Sequence, residues 1–361
     1  MQKKKHVWKW SCLMIGIAAC YLCYTGFQLV SDRIRSRQKW EEYRTAGEEM
    51  PEQYAGKGNP SAVDVFGSVY VKSIDSIDIR KSEFSVSFEA LFCWDKEKYP
   101  DFTMEDNFQI YNGKFTENLL LDEYDREEMR CQLFYLKGSV KEVFSTKRFP
   151  LSAYQLRFYL QPKKDMGGIH LRRLEEGYVG ADDQLNVAGF RMEEIDVSDF
   201  YYEVPLPTRY GSYEGEEVPV VYSELLTSIE LSRASWGLYF KCIIALIGSG
   251  IWVFFCFFIC IYDRLDNIGV ISPVFFGVVT NLLVGANLVP DALETGLLEY
   301  INIWGIYTIL SVTFMIIYVN RIRYFWKEEA YARYFGKVMF CEMAAMTVLG
   351  HLVIPLCAYL K

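Results

Sequence analysis

The sequence predicts an integral membrane protein: an N-terminal hydrophobic helix, an antiparallel β-sandwich outside the cytoplasm, and a transmembrane bundle of four helices. Three observations predict it. Charged residues crowd into 31–235, whereas 238–361 is largely apolar, a segregation hidden by an overall hydrophobic content of 51%. Four apolar runs in the second half, 238–262, 268–289, 298–319 and 338–360, each reach the ~20 residues that cross ~30 Å of hydrocarbon. Between 67 and 231, polar and apolar residues alternate with period two in short stretches, as half-buried strands do. The predicted organisation is a membrane anchor or signal segment (1–30), a charged helix and linker (31–64), the sandwich (65–235) and the four-helix domain (236–361).

At the N-terminus, Lys3, Lys4, Lys5 and Lys9 precede the apolar run 11–30. A signal peptide, an uncleaved anchor and a lipoprotein signal all begin this way. The run is long for a signal peptide and has no clear A-x-A site, which favours an anchor. Ile17-Ala18-Ala19-Cys20 has the form of a lipobox, a pattern short enough to arise by chance. All three readings export the polar domain, and the N-terminus is cytoplasmic if the segment is retained. Residues 31–60 are charged and contain Gly56, Gly58 and Pro60, which reads as an exposed helix followed by a linker.

In the polar domain, Phe84, Val86, Phe88, Ala90, Phe92 and Trp94 form one apolar face, with Ser85, Ser87 and Glu89 between them. Tyr154, Leu156, Phe158 and Leu160 repeat the pattern. Further strands fit 69–79, 130–136, 200–204 and 218–231, with turn signals at Asn112-Gly113, Gly167-Gly168 and 205–215. Many short strands without a strong helical stretch predict a sandwich.

Orientation of the C-terminal helices follows from Lys and Arg. The third gap holds Arg321, Arg323, Lys327, Arg333 and Lys337 and is placed in the cytoplasm. The second holds Asp291, Glu294 and Glu299 with no basic residue and is placed outside. The first gap, 263–267, is then cytoplasmic, and the polar domain and the C-terminus are outside. This agrees with the N-terminal argument and predicts a multi-pass protein of the cell membrane.

Composition excludes several functions. The net charge of −8 and the lack of a basic stripe argue against nucleic acid. Eight of the ten cysteines lie in apolar segments, where they act as small hydrophobes. Cys93 and Cys131 lie in the polar domain and can pair if it is exported. No metal site and no cofactor are predicted. Three histidines occur, and His170 has no evident nucleophile partner. No G-x-S-x-G, H-E-x-x-H or phosphate-binding glycine loop is present, so an enzyme is not expected. Asp182-Asp183 and Glu175-Glu176 sit beside glycines and read as solvated loops.

Four stretches carry a family resemblance. Arg148-Phe149-Pro150-Leu151-Ser152 leading to Gln155-Leu156 resembles an F-P-F-D…Q-L signature. Asp182-Asp183 and Gly189-Phe190 resemble the stretch before the last two sandwich strands. Ser232-Arg233 resembles a pre-membrane arginine, and Asn287-Leu288-Val289-Pro290 resembles the N-x-x-P exit of a pore helix. Together they resemble the prokaryotic pentameric ligand-gated ion channels, relatives of the Cys-loop receptors. Departures are Ser152 for the usual Asp, Ala245 for a proline in the first helix, the missing paired cysteines of animal receptors, and Pro273 inside the pore helix.

The resemblance implies a homo-pentamer in a lipid bilayer, opened by an unknown small-molecule or ionic agonist and passing monovalent cations. Its runner-up is a non-conducting membrane sensor on the same scaffold. Aligned on Pro290, the pore face holds Gly269, Pro273, Phe276, Thr280 and Leu283, spaced as a helix face requires. A ring of Phe276 would gate by dewetting, although Phe276 could instead pack on a neighbouring helix. Asp266 would form an acidic ring at the cytoplasmic mouth, or cap the helix. The implied agonist site includes Tyr201, Tyr202, Tyr210 and Tyr213, whose aromatic faces can hold a cation but equally suit ordinary surface and sheet positions. The implied coupling elements are the turn 80–83, Phe149, Pro150, Arg233 and the linker beginning at Pro290. Arg233 needs a partner at the membrane boundary. Asp78 is favoured over Glu83, and lipid headgroups are the alternative.

Overall fold

The computed structural model of the chain describes residues 2–45, 62–163, 168–175, 180–182, 185, 187–204, 211–213, 216–218, 220–263, 268–288 and 295–359. In chain order its elements are α1 (Gln2–Thr45), β1 (Val63–Asp78), β2 (Glu83–Asp95), β3 (Phe108–Ile110), β4 (Gly113–Arg126), β5 (Met129–Lys141), β6 (Tyr154–Pro162), β7 (Ile169–Arg173), β8 (Gly180–Ala181), β9 (Phe190–Val204), β10 (Gly211–Tyr213), β11 (Glu216–Val218), β12 (Val220–Arg233), α2 (Gly237–Asp263), α3 (Ile268–Leu288), α4 (Leu297–Tyr324) and α5 (Glu329–Tyr359). They divide into two compact units. One comprises Ser36–Phe144 and Ala153–Ala234, and the other Met1–Arg35, Ser145–Ser152 and Ser235–Lys361.

The first unit has two large sheets, and β10 and β11 pair separately as a two-stranded one. One has the order β4-β5-β2-β1-β7, with β8 also on β1, and the other has the order β3-β6-β12-β9. Their apolar faces supply one core. Phe84, Val86, Phe88, Ala90, Phe92 and Trp94 are all completely buried, so the period-two pattern of β2 is realised residue by residue. Phe88 meets Phe158 of the other sheet with ring centroids 4.6 Å apart, and Phe92 meets Phe108 at 4.9 Å. Gly67 allows the close approach, because a Cβ there would run into the Leu225 side chain. Cys93 and Cys131 are register partners on β2 and β5 and form a disulfide. The all-antiparallel expectation is corrected in one respect: β1 runs parallel to both β7 and β8. β7 follows β6 of the other sheet, so no hairpin fixes its direction.

The second unit is helical. Among the described residues four helices are long and apolar enough to cross a membrane, namely α1, α2, α4 and α5, and α3 adds a shorter apolar run, Pro273–Leu288. Glycines set the helix spacing. A Cβ on Gly305 would strike Leu246, and one on Gly350 would strike the Trp304 indole. That indole donates to the Thr347 carbonyl at 3.4 Å. At the other end, the Arg323 side chain is 3% exposed, and its guanidinium reaches Glu329 at 3.1 Å and the Asn320 Oδ1 at 3.2 Å. Buried charge is therefore paired and hydrogen-bonded, as it must be in low dielectric.

One boundary differs from expectation. The apolar segment and the charged residues after it form a single helix, α1, described from Gln2 to Thr45. No Gly or Pro lies between Phe27 and Arg44 to stop propagation.

Candidate functional site

Three regions hold the candidate residues. The first is the exposed face of α3. Ile271, Val274, Val278 and Asn281 are buried and seat the helix. The Asn281 amide donates to the Asn302 Oδ1 on α4 at 2.6 Å, which fixes the rotation of α3 about its axis. Gly269, Pro273, Phe276, Thr280 and Leu283 are all exposed. Phe276 is 74% exposed and Leu283 60%, whereas Phe275 is 40% exposed. The Thr280 hydroxyl is turned back to the Phe276 carbonyl at 2.8 Å. Pro273 lacks the N–H that would bond the carbonyl of Gly269. Asp266 lies outside the described residues.

The second region is the segment Ser145–Ser152, which belongs to the helical unit. Phe149 and Leu151 are buried, and the Phe149–Pro150 peptide is cis. The segment folds on itself through Phe149 N–H to Thr146 O at 3.0 Å and Leu151 N–H to Arg148 O at 2.8 Å. It abuts the start of α4: the Leu297 N–H donates to the Lys147 carbonyl at 2.7 Å. Gly296 caps α4, and a Cβ there would lie 3.0 Å from the Lys147 Cα, so a side chain would push the segment away. Pro290 lies outside the described residues.

Asp78, Glu83 and Arg233 belong to the sheet unit. Asp78 and Glu83, the partners expected for Arg233, each bond to groups close by. Asp78 accepts from the Lys81 backbone N–H at 3.0 Å and meets its ammonium at 3.5 Å. Glu83 accepts from the Ser139 hydroxyl at 2.7 Å. The Arg233 guanidinium covers the Phe190 ring at 4.0 Å. The tight turn after β1 supplies Asp78 with donors of its own, and Phe190 is the register partner of Arg233 across β9 and β12.

The third region is the sheet face turned away from the core. Leu225, Ile229 and Leu231 of β12 enter the core, so Glu224, Leu226 and Ser228 point the other way. They are buried as well, at 1%, 2% and 4% exposure. Phe200 is the register partner of Glu224 on β9, and it packs on Tyr159 of β6 at 5.5 Å. Neither carboxylate oxygen of Glu224 has a hydrogen-bond partner among the described residues. Burial pushes this carboxyl up to about 8. Sequence reasoning missed it, because within 218–231 a glutamate reads as the solvated half of an alternating strand. On the same face, Arg157 holds Glu142 at 2.5 Å, and burial raises the Glu142 carboxyl despite that partner.

Of the predicted tyrosines, Tyr201 lies in β9, where its hydroxyl is 3.3 Å from the His170 Nε2. The His170 Nδ1 is 3.0 Å from Asp64, its register partner on β1. This Asp64–His170–Tyr201 chain has the outline of a proton relay. It ends on a phenol that burial pushes above its ordinary value, which makes it a poor nucleophile at neutral pH. Tyr202 and Tyr213 have described backbones in β9 and β10, and Tyr210 lies outside the described residues. Among the described residues no group of three or more His, Cys, Asp or Glu side chains is placed to hold a metal. The chain's one C-x-x-C spacing, Cys20 to Cys23, lies on α1 with both thiols free and exposed.

No protein-family model matches the chain, and no curated protein matches it. Function has to be argued from the sites themselves.

Proposed function

We propose that the chain is one subunit of a homo-oligomeric, ligand-gated cation channel. The two sheets, read as a sandwich, lie outside the cytoplasm and bind the ligand, and α3 lines the pore. The observation that carries this reading is the uncovered face of α3. A helix seated by Ile271, Val274, Val278 and Asn281 that leaves Phe276 and Leu283 bare needs further cover from lipid or from other copies. Pro273, Thr280 and Gly269 on the same face suit a water-facing lining better than a lipid-facing one. Edge strand β4 adds a second bare surface, since Leu119, Leu120 and Leu121 are all exposed. A sheet edge of this kind is normally covered, and a neighbouring subunit would cover it. The basic residues at the end of α4, in the turn after it and at the start of α5 support the assigned orientation, and the Cys93–Cys131 disulfide supports an oxidising compartment for the sheet unit.

The test is a five-fold projection in electron micrographs of the purified protein, together with currents in planar bilayers. A particle without rotational symmetry overturns the assembly, and symmetric particles that never conduct leave the sensor reading in its place. In a conducting preparation, Asp266→Asn is expected to lower the preference for cations over anions, seen as a shifted reversal potential in a salt gradient. An unmoved reversal potential removes Asp266 from the conduction path.

A further inference from the structure

We infer that α1 is a retained fifth helix of the helical unit, and that Asp32 on it is a positioning residue for the segment 145–152. One face of α1 carries a stripe. Along α1 the residues Val7, Ser11, Met14, Ala18, Tyr21, Thr25, Leu29 and Asp32 recur every three or four positions and are buried or half-buried. Trp8, Leu13, Ile15 and Phe27 on the opposite side are more than half exposed. An export signal needs only hydrophobicity. A stripe with period near 3.6 signals one helix face packed against protein.

The contacts along the stripe are chemically specific. At one end the two ring nitrogens of His6 reach the hydroxyls of Tyr331 and Tyr318, each at 2.9 Å. The Ser11 hydroxyl donates to the Glu342 carboxylate at 2.6 Å. The Tyr21 hydroxyl donates to the Tyr300 carbonyl at 2.8 Å, and its ring stacks on Trp304 at 5.7 Å. A Cβ on Gly26 would lie 3.4 Å from the Cys357 Sγ. These contacts tie α1 to α4 and α5. From His6 to Asp32 a helix rises about 39 Å, enough to cross the hydrocarbon and reach the headgroup level.

At that level Asp32 meets the segment 145–152. Its carboxylate lies 3.2 Å from the Arg148 Nε and 3.7 Å from the Lys147 Nζ. The Arg148 and Asp32 side chains are only 8% and 11% exposed. Lys147 is also the residue whose carbonyl receives the first N–H of α4. One carboxylate on α1 therefore grips the two basic residues of a segment whose backbone rests on the start of α4. Removing it takes one shared counter-charge away from two desolvated basic side chains, which favours release of the segment. Where the proposed function gives this segment a part in coupling, α1 biases opening; that last step rests on the channel reading, and the placement of α1 and the role of Asp32 do not.

The test uses the full chain in lipid nanodiscs and needs no current. In a background with Cys12, Cys20, Cys23 and Cys341 replaced by Ser, Gly26→Cys is oxidised, and the chain is then cut at a protease site inserted within 46–61. On denaturing gels the N-terminal fragment is expected to stay attached to the remainder without reductant, to be released with it, and to be released in both conditions when Cys357→Ser is added. Release in every condition, or a mature N-terminus beyond residue 30, overturns the placement of α1. For Asp32, hydrogen–deuterium exchange of peptides covering 145–152 is expected to quicken by about tenfold in Asp32→Asn. The carboxylate-preserving Asp32→Glu should recover most of the protection. Equal exchange in wild type and Asp32→Asn, or no recovery in Asp32→Glu, overturns the positioning role.

Discussion

Replacing Glu224 by Gln is expected to flatten the dependence of stability on pH between 5 and 9. The carboxyl is 1% exposed, and neither oxygen has a partner among the described residues. Burial alone raises it from the ordinary 4.5 to about 8. The folded chain therefore keeps a proton at this site over a range in which the unfolded chain has lost it. Stability from this group is fully present below the unfolded value, declines as pH rises past it, and is lost through the folded value near 8. Each pKa unit corresponds to about 1.4 kcal/mol, so the whole decline amounts to several kcal/mol. Gln fills the same space and does not titrate, so the variant should hold its midpoint where wild type falls. Thermal unfolding in nanodiscs at pH 5, 7 and 9 measures this. Glu142, raised by burial in the same sense, adds a slope that the variant retains, and Glu142→Gln resolves it. A wild-type midpoint that does not fall by pH 9, or an equal fall in Glu224→Gln, would show that the carboxyl is solvated or paired.

Much of the architecture was legible, because burial imposes a period and the period is written in the residues. In β2 and β6 every apolar residue of the alternation is buried, although Ser87, Gln155 and Gln161 between them are buried too. The C-terminal helices begin and end near their apolar runs, but α4 and α5 extend past them, to Tyr324 and back to Glu329. Hydropathy reports the thickness of hydrocarbon, whereas helical hydrogen bonding continues through Arg321, Arg333 and Lys337 until a breaker or cap intervenes. β1 is harder to read, since register shifts after Val71 and Ile74 change which parity faces inward. β4 escaped notice for a different reason. It is an edge strand with both faces largely exposed, so 113–126 carries no alternation to detect. The sites were less legible than the fold. The α3 residues chosen by aligning the resemblance on Pro290 are exposed, as are Phe275, Val279 and Leu282 beside them, and the surroundings of Arg233 were harder to read. They depended on a turn that satisfies Asp78 locally and on a cross-strand ring that no charge count reveals. Glu224 was hidden because both faces of β12 are buried, which a rule built on one wet face cannot anticipate.

Phe276→Ala is expected to leave the closed assembly conducting at rest. α3 is keyed to its neighbours on one side by the Asn281–Asn302 hydrogen bond, and by Gly277, where a Cβ would strike the Ser249 hydroxyl. These contacts fix the rotation of the helix, and in that rotation Phe276 is the barest large apolar side chain on α3. Repeated around a symmetry axis, such rings form an apolar collar that water leaves when the collar is narrow. Alanine removes the ring while keeping the helical backbone, so the collar widens and stays wet. The buried side of α3 is untouched, and folding should be spared. The control is Phe275→Ala, one residue and about 100° away on a helix, which should leave resting conductance at the wild-type level. The readouts are resting current in bilayers and ion efflux from liposomes, with assembly checked by size-exclusion chromatography. If Phe275→Ala leaks and Phe276→Ala does not, α3 lines the pore with its adjacent face. If both variants assemble and neither raises the resting flux, the constriction lies elsewhere along the chain and the exposed face of α3 belongs to lipid.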